Sequence, residues 1–579
     1  MLTKLILLFL TVGQILASSY VENGKRAELF EIMDTEVPTF RVTLPDEKFE
    51  ELKLAMQMGK SSFSISDKKD DKADRNDDNI YGVYEYEKVK NATMVVEING
   101  KEEKFNEVTF GLGGSSARLY GRQGFNFKIR DKKKTLYGRT QFRIRSDPRD
   151  ATYLRSKLSC DILNRMGAIS ISANYITLYV NEEYFGFYVL MDAPKSPWIE
   201  QVFGEKKTKN LYKCKKVGAY ISSLCVNEDD EITDNTEWEK FVKAVDNAKS
   251  IKDIEDIFDI DQFFKLAAFD YLVGAWDHFF HLGHNYNMYK NKKTGKWVMV
   301  YYDFDSDIGQ DCVQIEYLNR HPLTDKNYPR YSVRDWFNLS IHLQEITVFD
   351  DVARFEKILI DVVKNAFNPT LLFPHIDELK DLIRPYIVHD KTPGENGINP
   401  GVLNLLNPVD YSLAQWDANS EFTIVNAGAG SDAYGIKYWI LERYRAVCTY
   451  YSIDCDPVYM DENYQYPIDK EVEGKINTEK WAGFDWDEMT GNKKEEPTEV
   501  EEPTEDEEPT ENEEPTEIDE PIDEPDDEPD DEPVDEPVDE PVDEPTNKST
   551  DKPAEKPKNV IEFINNIFNR FVSFLNGLF

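Results

Sequence analysis

From residue 495 to 545 the chain reads EEPTEVEEPTEDEEPTENEEPTE and runs on into DEPVDEPVDEPVDEP, with 29 Asp or Glu and no Lys or Arg. Proline every four to six residues removes backbone donors and blocks helix, while dense like charge extends the chain. The tract therefore predicts a solvated, polyproline-II-like spacer without a core of its own. Folded structure has to be sought on either side of it. The tract also carries most of the charge, because a formal net charge of −42 falls to about −13 once it is set aside. The remaining body is moderately acidic and has no sustained basic stripe, which argues against nucleic acid as a partner.

The boundaries follow from composition. Residues 1–18 (MLTKLILLFLTVGQILAS) give one cation, an apolar stretch and small residues, the layout of a secretory signal peptide. Residues 25–460 read as one large α+β domain, 461–494 as a connecting segment and 495–558 as the spacer. Residues 559–579 read as an amphipathic helix, with Ile561, Ile564, Phe568 and Phe571 on one face and Asn565, Asn566 and Asn569 on the other. Set at the end of a spacer, that helix is expected to dock on a membrane surface or a protein partner. No later apolar run is long enough for a membrane span, so a secreted or surface protein is expected. Six cysteines suit an oxidising compartment. Cys214 with Cys225 and Cys448 with Cys455 form plausible local bridges, leaving Cys160 with Cys312. Asn91, Asn338 and Asn547 are glycan acceptors in that setting.

Within the body, short runs such as MVVEI (94–98), NFKIR (126–130), QFRIR (141–145), YITLYV (175–180), YFGFYVLM (184–191) and WVMVYY (297–302) read as strands. Apolar faces at three-and-four spacing predict helices over 259–276, 352–367 and 435–451. A charged loop over 61–82 interrupts the strand-rich part.

Chemistry concentrates after the last of those strands. WVMVYYDFDSDIGQ (297–310) sets Asp303, Asp305 and Asp307 on alternate positions, which on an extended segment would share one face and call for a cation. A helix-loop-helix calcium site is excluded, since the sixth and twelfth positions are Ile308 and Gln314. Just upstream, WDHFFHLGHNYNMYK (276–290) places Asp277 at the end of an apolar helix and Asn285 in the loop after it. An acid for a hydroxyl, an amide oxygen for metal and a strand-end Asp for metal are, in that order, the set used for phosphoryl transfer in protein kinases. There is no H-R-D sequence, and the Asp–Asn spacing of eight residues is longer than the usual kinase loop. His278, His281 and His284 could ligate metal, although positioning or packing suits their context better. Upstream again, GLGGSSARLYGRQGFNFKIR (111–130) offers a glycine-rich turn at Gly113, Gly114 and Ser115 whose amides could cradle phosphate, with Arg122 or Lys128 to reach its oxygens.

Taken with LYGRTQFRIRSDPRDATYLRSKLSCDILNRMG (136–167) and LYVNEEYFGFYVLMDAP (178–194), these motifs resemble the CotH family of atypical secretory kinases, in its secreted fungal form. The resemblance covers roughly residues 100–450. It implies a two-lobed, protein-kinase-like α+β domain with a strand-rich N-terminal part and a helical C-terminal part. It also implies transfer of phosphate from ATP, with Mg2+, to Ser or Thr of secreted or surface proteins. By motif, Asp277 would be the catalytic acid, Asn285 its partner toward metal, Asp303 the principal Mg2+ ligand and Asp305 its support. Lys128 is preferred to Arg122 as the nucleotide-contacting cation, because Arg and Lys are not interchangeable at a phosphate. Arg155 could bind a carboxylate or phosphate, or pair with Asp161, and Asp192 falls where a hinge between lobes would be. The rival expectation is a non-catalytic binding or adhesion module on an acidic stalk. A calcium-dependent carbohydrate-binding protein is a weaker third.

Overall fold

The computed structural model describes residues 19–22, 24–57, 86–114, 116–315, 325–405, 410–427 and 431–478. The expected signal peptide, the loop over 61–82, Ser115, the spacer and the terminal helix lie outside the described residues.

Alternation of apolar and polar residues builds a barrel in the first half. Its strands are β1 (Thr39–Thr43), β2 (Val89–Ile98), β3 (Lys101–Gly113), β4 (Gly124–Ile129), β5 (Gln141–Arg145), β6 (Ala173–Val180) and β7 (Glu183–Asp192). They are ordered β1-β2-β3-β4-β5-β7-β6, and a parallel pairing of β1 with β6 closes the ring. Every second side chain points inward, so Phe110, Phe125, Phe127, Phe142 and Ile144 fill the interior. Each such side chain contributes roughly 1.5–3 kcal/mol by leaving water. The intervening residues of β4 and β5, among them Lys128, Arg143 and Arg145, are left on the outer face. Helix α1 (Asp46–Gln57) buries Leu52 and Met56 in the barrel's core, and α2 (Arg155–Arg165) lies against β6.

The second half is helical around a small sheet. Strands β8 (Leu211–Cys214), β9 (Val226–Asn227), β10 (Tyr286–Lys290) and β11 (Trp297–Tyr301) are ordered β11-β10-β8-β9. Around them pack α3 (Ile260–Val273), α4 (Val352–Asn365), α5 (Pro369–Asp390) and α6 (Ile436–Tyr450). Strands β6 and β7 are buried on both faces. Leu178 and Leu190 turn into the barrel, while Tyr175, Phe187 and Val189 join the core of the helical half. These two strands therefore couple the cores.

The local disulfides Cys214–Cys225 and Cys448–Cys455 form as expected. Cys160 and Cys312 do not pair; both are free, buried thiols. Elimination failed because cysteine also serves as a small apolar core residue, which is the role of both here. Of the glycan acceptors, Asn91 is exposed on β2 and Asn338 is half-buried.

Candidate active site

Helix α3 aims the first functional residue. Asp259 caps its N-terminus by accepting from the Gln262 N–H, and Gly274 ends it at φ +68°. A Cβ at Gly274 would stand 2.1 Å from Trp439 Cζ2, so the reversal there is possible only for glycine. The chain then passes Ala275 and Trp276 to Asp277. Asp277 accepts from His284 Nε2 at 2.5 Å and from Asn285 Nδ2 at 3.2 Å, and its backbone carbonyl accepts from the same Asn285 nitrogen at 3.0 Å. Burial would raise the Asp277 pKa, but His284 and then Arg149 outweigh it and hold the carboxyl below its ordinary value.

Antiparallel pairing brings the next two residues together. Tyr286 of β10 lies opposite Tyr301 of β11, and the Tyr302 N–H donates to the Asn285 carbonyl at 3.0 Å. Asn285, just before β10, and Asp303, just after β11, therefore sit at the same end of the strand pair. Both are left-handed, at φ +58° and +73°. Such backbone is uncommon outside glycine and concentrates at functional sites. Asp305 comes next, contacted at 3.4 Å by Arg149, which also donates to Ser306 Oγ at 2.6 Å. Burial, opposed by Arg149 and reinforced by Asp303 and Asp277, pushes Asp305 up to about 6.

The third carboxylate departs from the shared face expected of alternate positions. The chain is not extended after Asp303. It turns at Asp305–Ser306 and takes positive φ at Ile308 and Gly309, which carries Asp307 into the core. There Asp307 accepts from Ser159 Oγ at 2.8 Å, and His278 Nδ1 stands 3.5 Å from Asp270 and 3.9 Å from Asp307. His278 Nε2 in turn hydrogen-bonds the Asp303 carbonyl at 2.9 Å. The three histidines of the loop diverge, for His281 bonds the Trp336 carbonyl and His284 bonds Asp277. Among the described residues, no three His, Cys, Asp or Glu side chains gather into a metal cage. Asp303, Asp305 and the Asn285 amide could hold a cation only if another molecule completed its coordination.

The barrel supplies the opposite wall. Arg145 Nε lies 3.9 Å from Asp303, too far for a hydrogen bond, and its buried Nε and Nη1 have no hydrogen-bond partner among the described residues. A Cβ on Gly113 would come within 2.7 Å of Asn126 Nδ2, and one on Gly114 within 3.0 Å of Arg145 Nη1, so the glycine turn leaves room beside this cation. Arg143, two residues back, lies over the Tyr302 ring at 4.4 Å. Sequence reasoning took QFRIR only as a strand. The missed signal was its two arginines at spacing two, which put both cations on one face, and Arg149 in SDPRD was missed as well.

The other expected cations are placed differently. The Arg122 guanidinium is buried against Asp390 and the Pro400 carbonyl, with Tyr153 Oη at 3.3 Å. None of these is a residue of the cleft, so Arg122 stitches α5 to the barrel instead of meeting a ligand. Lys128 lies on the barrel's outer face, where desolvation, Arg130 and Lys195 lower its pKa. Arg155 pairs with Asp150 at 2.6 Å, not with Asp161, which instead accepts from Lys157 and His375. Asp192 is held by Arg139 at 2.7 Å and by Trp198 Nε1 at 3.3 Å.

A strand-rich lobe and a helical lobe, with the acidic loop of one facing the arginines of the other, define an atypical kinase-like α+β fold. The family model described as CotH kinase protein matches residues 112–422, more than half of the chain, and the chain belongs to that family. Among curated proteins it is similar to Invasin CotH3 of Rhizopus delemar, at 25% identity over 60% of this chain and 60% of that one. Spore coat protein homolog 1 of the same fungus is 26% identical over 55% of this chain and 53% of its own length. Inner spore coat protein H of Bacillus subtilis is 19% identical over 51% of this chain and 81% of its own. The chain thus spans between half and two thirds of the length of the two Rhizopus relatives. Among solved structures, the Helicobacter pylori proinflammatory kinase CtkA matches 45% of this chain and 94% of its own, with 13% identity and a TM-score of 0.21, too low to bear on the fold. Two disulfides are consistent with a secreted or surface protein, and no helix among the described residues is long and apolar enough to cross a membrane.

Proposed function

We propose that this protein transfers the γ-phosphoryl group of ATP to Ser or Thr hydroxyls of secreted or surface proteins. One juxtaposition supports this reading above all. Asp277, Asn285, Asp303 and Asp305 are gathered at one end of the β10–β11 pair and faced by Arg145, whose buried Nε and Nη1 lack partners among the described residues. The donor set fits Mg2+, which takes one or two carboxylates and leaves its other positions to phosphate oxygens and water. Asp303, Asp305 and Asn285 would hold the ion, which when bound supplies charge neutralisation for the phosphates. Arg145, beside the glycine turn, would meet phosphate oxygens from the barrel side and satisfy donors that are costly to leave buried and unpaired. Asp277, ionised and oriented by His284 and Asn285, would accept a hydrogen bond from the acceptor hydroxyl, fix its oxygen for attack and take its proton. Such a site works by positioning and electrostatics, without a covalent intermediate.

The test is incorporation of label from [γ-32P]ATP with Mg2+, into the protein itself or an added Ser/Thr acceptor. Asp303→Ala should reduce incorporation at least about 100-fold, the scale of losing one electrostatic stabiliser, with an unchanged urea midpoint. Equal incorporation by variant and wild type would sink the reading.

The name of the relative Invasin CotH3 supports a second reading, in which the same fold serves as an adhesion module. Adhesion to cell surfaces that survives Asp303→Ala, with no ATP-dependent incorporation, would favour it. In either case the amphipathic segment 559–579 is proposed to dock the protein on a membrane surface or protein partner.

A further inference from the structure

The described chain ends beside the acidic loop. The Asn477 N–H donates to Asp432 Oδ2 at 2.8 Å. The Asp432 N–H and Ser431 Oγ both donate to Asp311 Oδ1, at 3.0 and 2.7 Å. Arg149 then bridges Asp311 and Asp305, each at 3.4 Å. A short relay of hydrogen bonds and ion pairs therefore joins the point where the chain leaves the domain to a carboxylate of the candidate site.

Beyond that point the chain carries a run of acceptor hydroxyls. Thr498, Thr504, Thr510 and Thr516 each lie within Glu-Glu-Pro-Thr-Glu. Thr498 lies twenty positions beyond Thr478, a stretch that spans up to roughly 70 Å when extended, so length does not keep these hydroxyls from the cleft. A tether of this kind gives an effective concentration on the order of millimolar, far above that of a dissolved acceptor at low abundance.

A receiving surface complements the glutamates. On the outer faces of β4 and β5, Arg145, Arg143 and Lys128 occupy alternate positions, with Arg130 beyond Lys128. Within this strip burial and then Arg145 lower Arg143, and desolvation, then Arg130 and Lys195, lower Lys128, with Glu228 acting the other way on both. The strip begins at Arg145 beside Asp303 and runs outward along the barrel. An acidic peptide laid on it would relieve the crowding while its hydroxyl reached the cleft.

We infer that residues 495–517 are an acceptor built into the chain, and that Thr498, Thr504, Thr510 and Thr516 are phosphorylated by the site to which they are tethered. The inference rests on the kinase reading of that site. In the transfer, threonine Oγ forms a bond to the γ-phosphorus of ATP as the bond to the β,γ-bridging oxygen breaks. ADP leaves with that electron pair, and the hydroxyl proton passes to Asp277 and on to solvent.

The full chain, incubated with Mg2+ and [γ-32P]ATP, should take label on these threonines as mapped by mass spectrometry, at a rate per molecule unchanged by tenfold dilution. The variant carrying Thr498→Val, Thr504→Val, Thr510→Val and Thr516→Val, none of them a residue of the candidate site, should lose at least nine-tenths of self-incorporation yet label dephosphorylated casein as wild type does. Labelling of casein with none on the four threonines overturns the inference and leaves the kinase reading standing. A per-molecule rate that falls on dilution overturns the tethered route, because a second copy is then the enzyme. Absence of both labelling and ATP turnover, in wild type as in Asp303→Ala, overturns inference and kinase reading together.

Discussion

Asp303 and Asp307 are four residues apart in one loop, yet the fold gives them opposite work. Among the described residues the Asp303 side chain, 36% exposed at the cleft, meets only the distant Arg145, whereas that of Asp307 is 1% exposed and sits in the core with Ser159 and His278. Burial pushes Asp307 up to about 8 despite His278. Burial works against the charge of His278 as well, but Asp270 and Asp307 lift it to about 9. The core side thus holds a histidine whose charge its carboxyl neighbours favour, beside an Asp307 whose charge burial disfavours, with Asp270 as the nearer carboxyl at 3.5 Å. The difference teaches that a run of Asp does not by itself mark a cation site; the turn that divides the run decides which members stay available.

The largest effect should come from breaking the core side. His278→Leu leaves Asp270 and Asp307 buried without the group they share and removes the hydrogen bond to the Asp303 carbonyl. Removing one partner of a buried charge cluster costs about 3–5 kcal/mol, readable as a lower urea midpoint at pH 7. If the midpoint stays at the wild-type value, the cluster is not part of what holds the loop.

Next in size is a contrast within the same loop. His281, three residues from His278, has no carboxylate beside it among the described residues, and burial lowers its pKa to about 4 even though it bonds the Trp336 carbonyl. A histidine depressed in the folded state contributes stability that is complete above its unfolded pKa near 6.5 and is lost as pH falls through 4. Over that window the contribution amounts to about 3 kcal/mol. Comparing urea unfolding at pH 7 and pH 4, His281→Gln should lose less stability than wild type by about that amount. Parallel losses in the two proteins would show that His281 does not stay neutral in the fold. His278 should behave oppositely, since its raised pKa keeps it charged throughout this range.

How far these placements could be read in advance depends on whether they are local. Asn285 and Asp303 were legible because an apolar strand with polar residues before and after it brackets its ends, and antiparallel pairing does the rest. The two short-loop disulfides were legible for the same reason. Closure of the barrel was not, because β1 and β6 pair in parallel across more than a hundred residues. The turning of Asp307 into the core was hidden by positive φ at Asp303 and Ile308, where the sequence shows no glycine. Arg122 looked like a phosphate ligand from its place after a glycine-rich stretch, but its partner Asp390 is 268 residues away and leaves no trace nearby.

The placement of Arg122 allows the two sides to be separated at the level of single cations, and the cleft-side member, Arg145, carries the smallest effect on stability and a clear one on function. Arg122 and Arg145 are both arginines of the barrel half, but Arg122 has a close buried carboxylate while, among the described residues, Arg145 has only Asp303 at 3.9 Å. Arg122→Ala should therefore behave like the core side and unfold at lower urea, because it strands Asp390 in the interior. Arg145→Ala removes a loose pair with a partly exposed partner, worth about 0–1 kcal/mol, so its midpoint should move little. If its partnerless nitrogens wait for phosphate, however, the KM for ATP should rise about tenfold, the scale of one charge-assisted contact, with kcat less affected. An Arg145→Ala variant with wild-type KM and a large loss of stability would reverse the assignment, making Arg145 a structural cation like Arg122 and leaving the barrel side of the cleft without its anion-binding group.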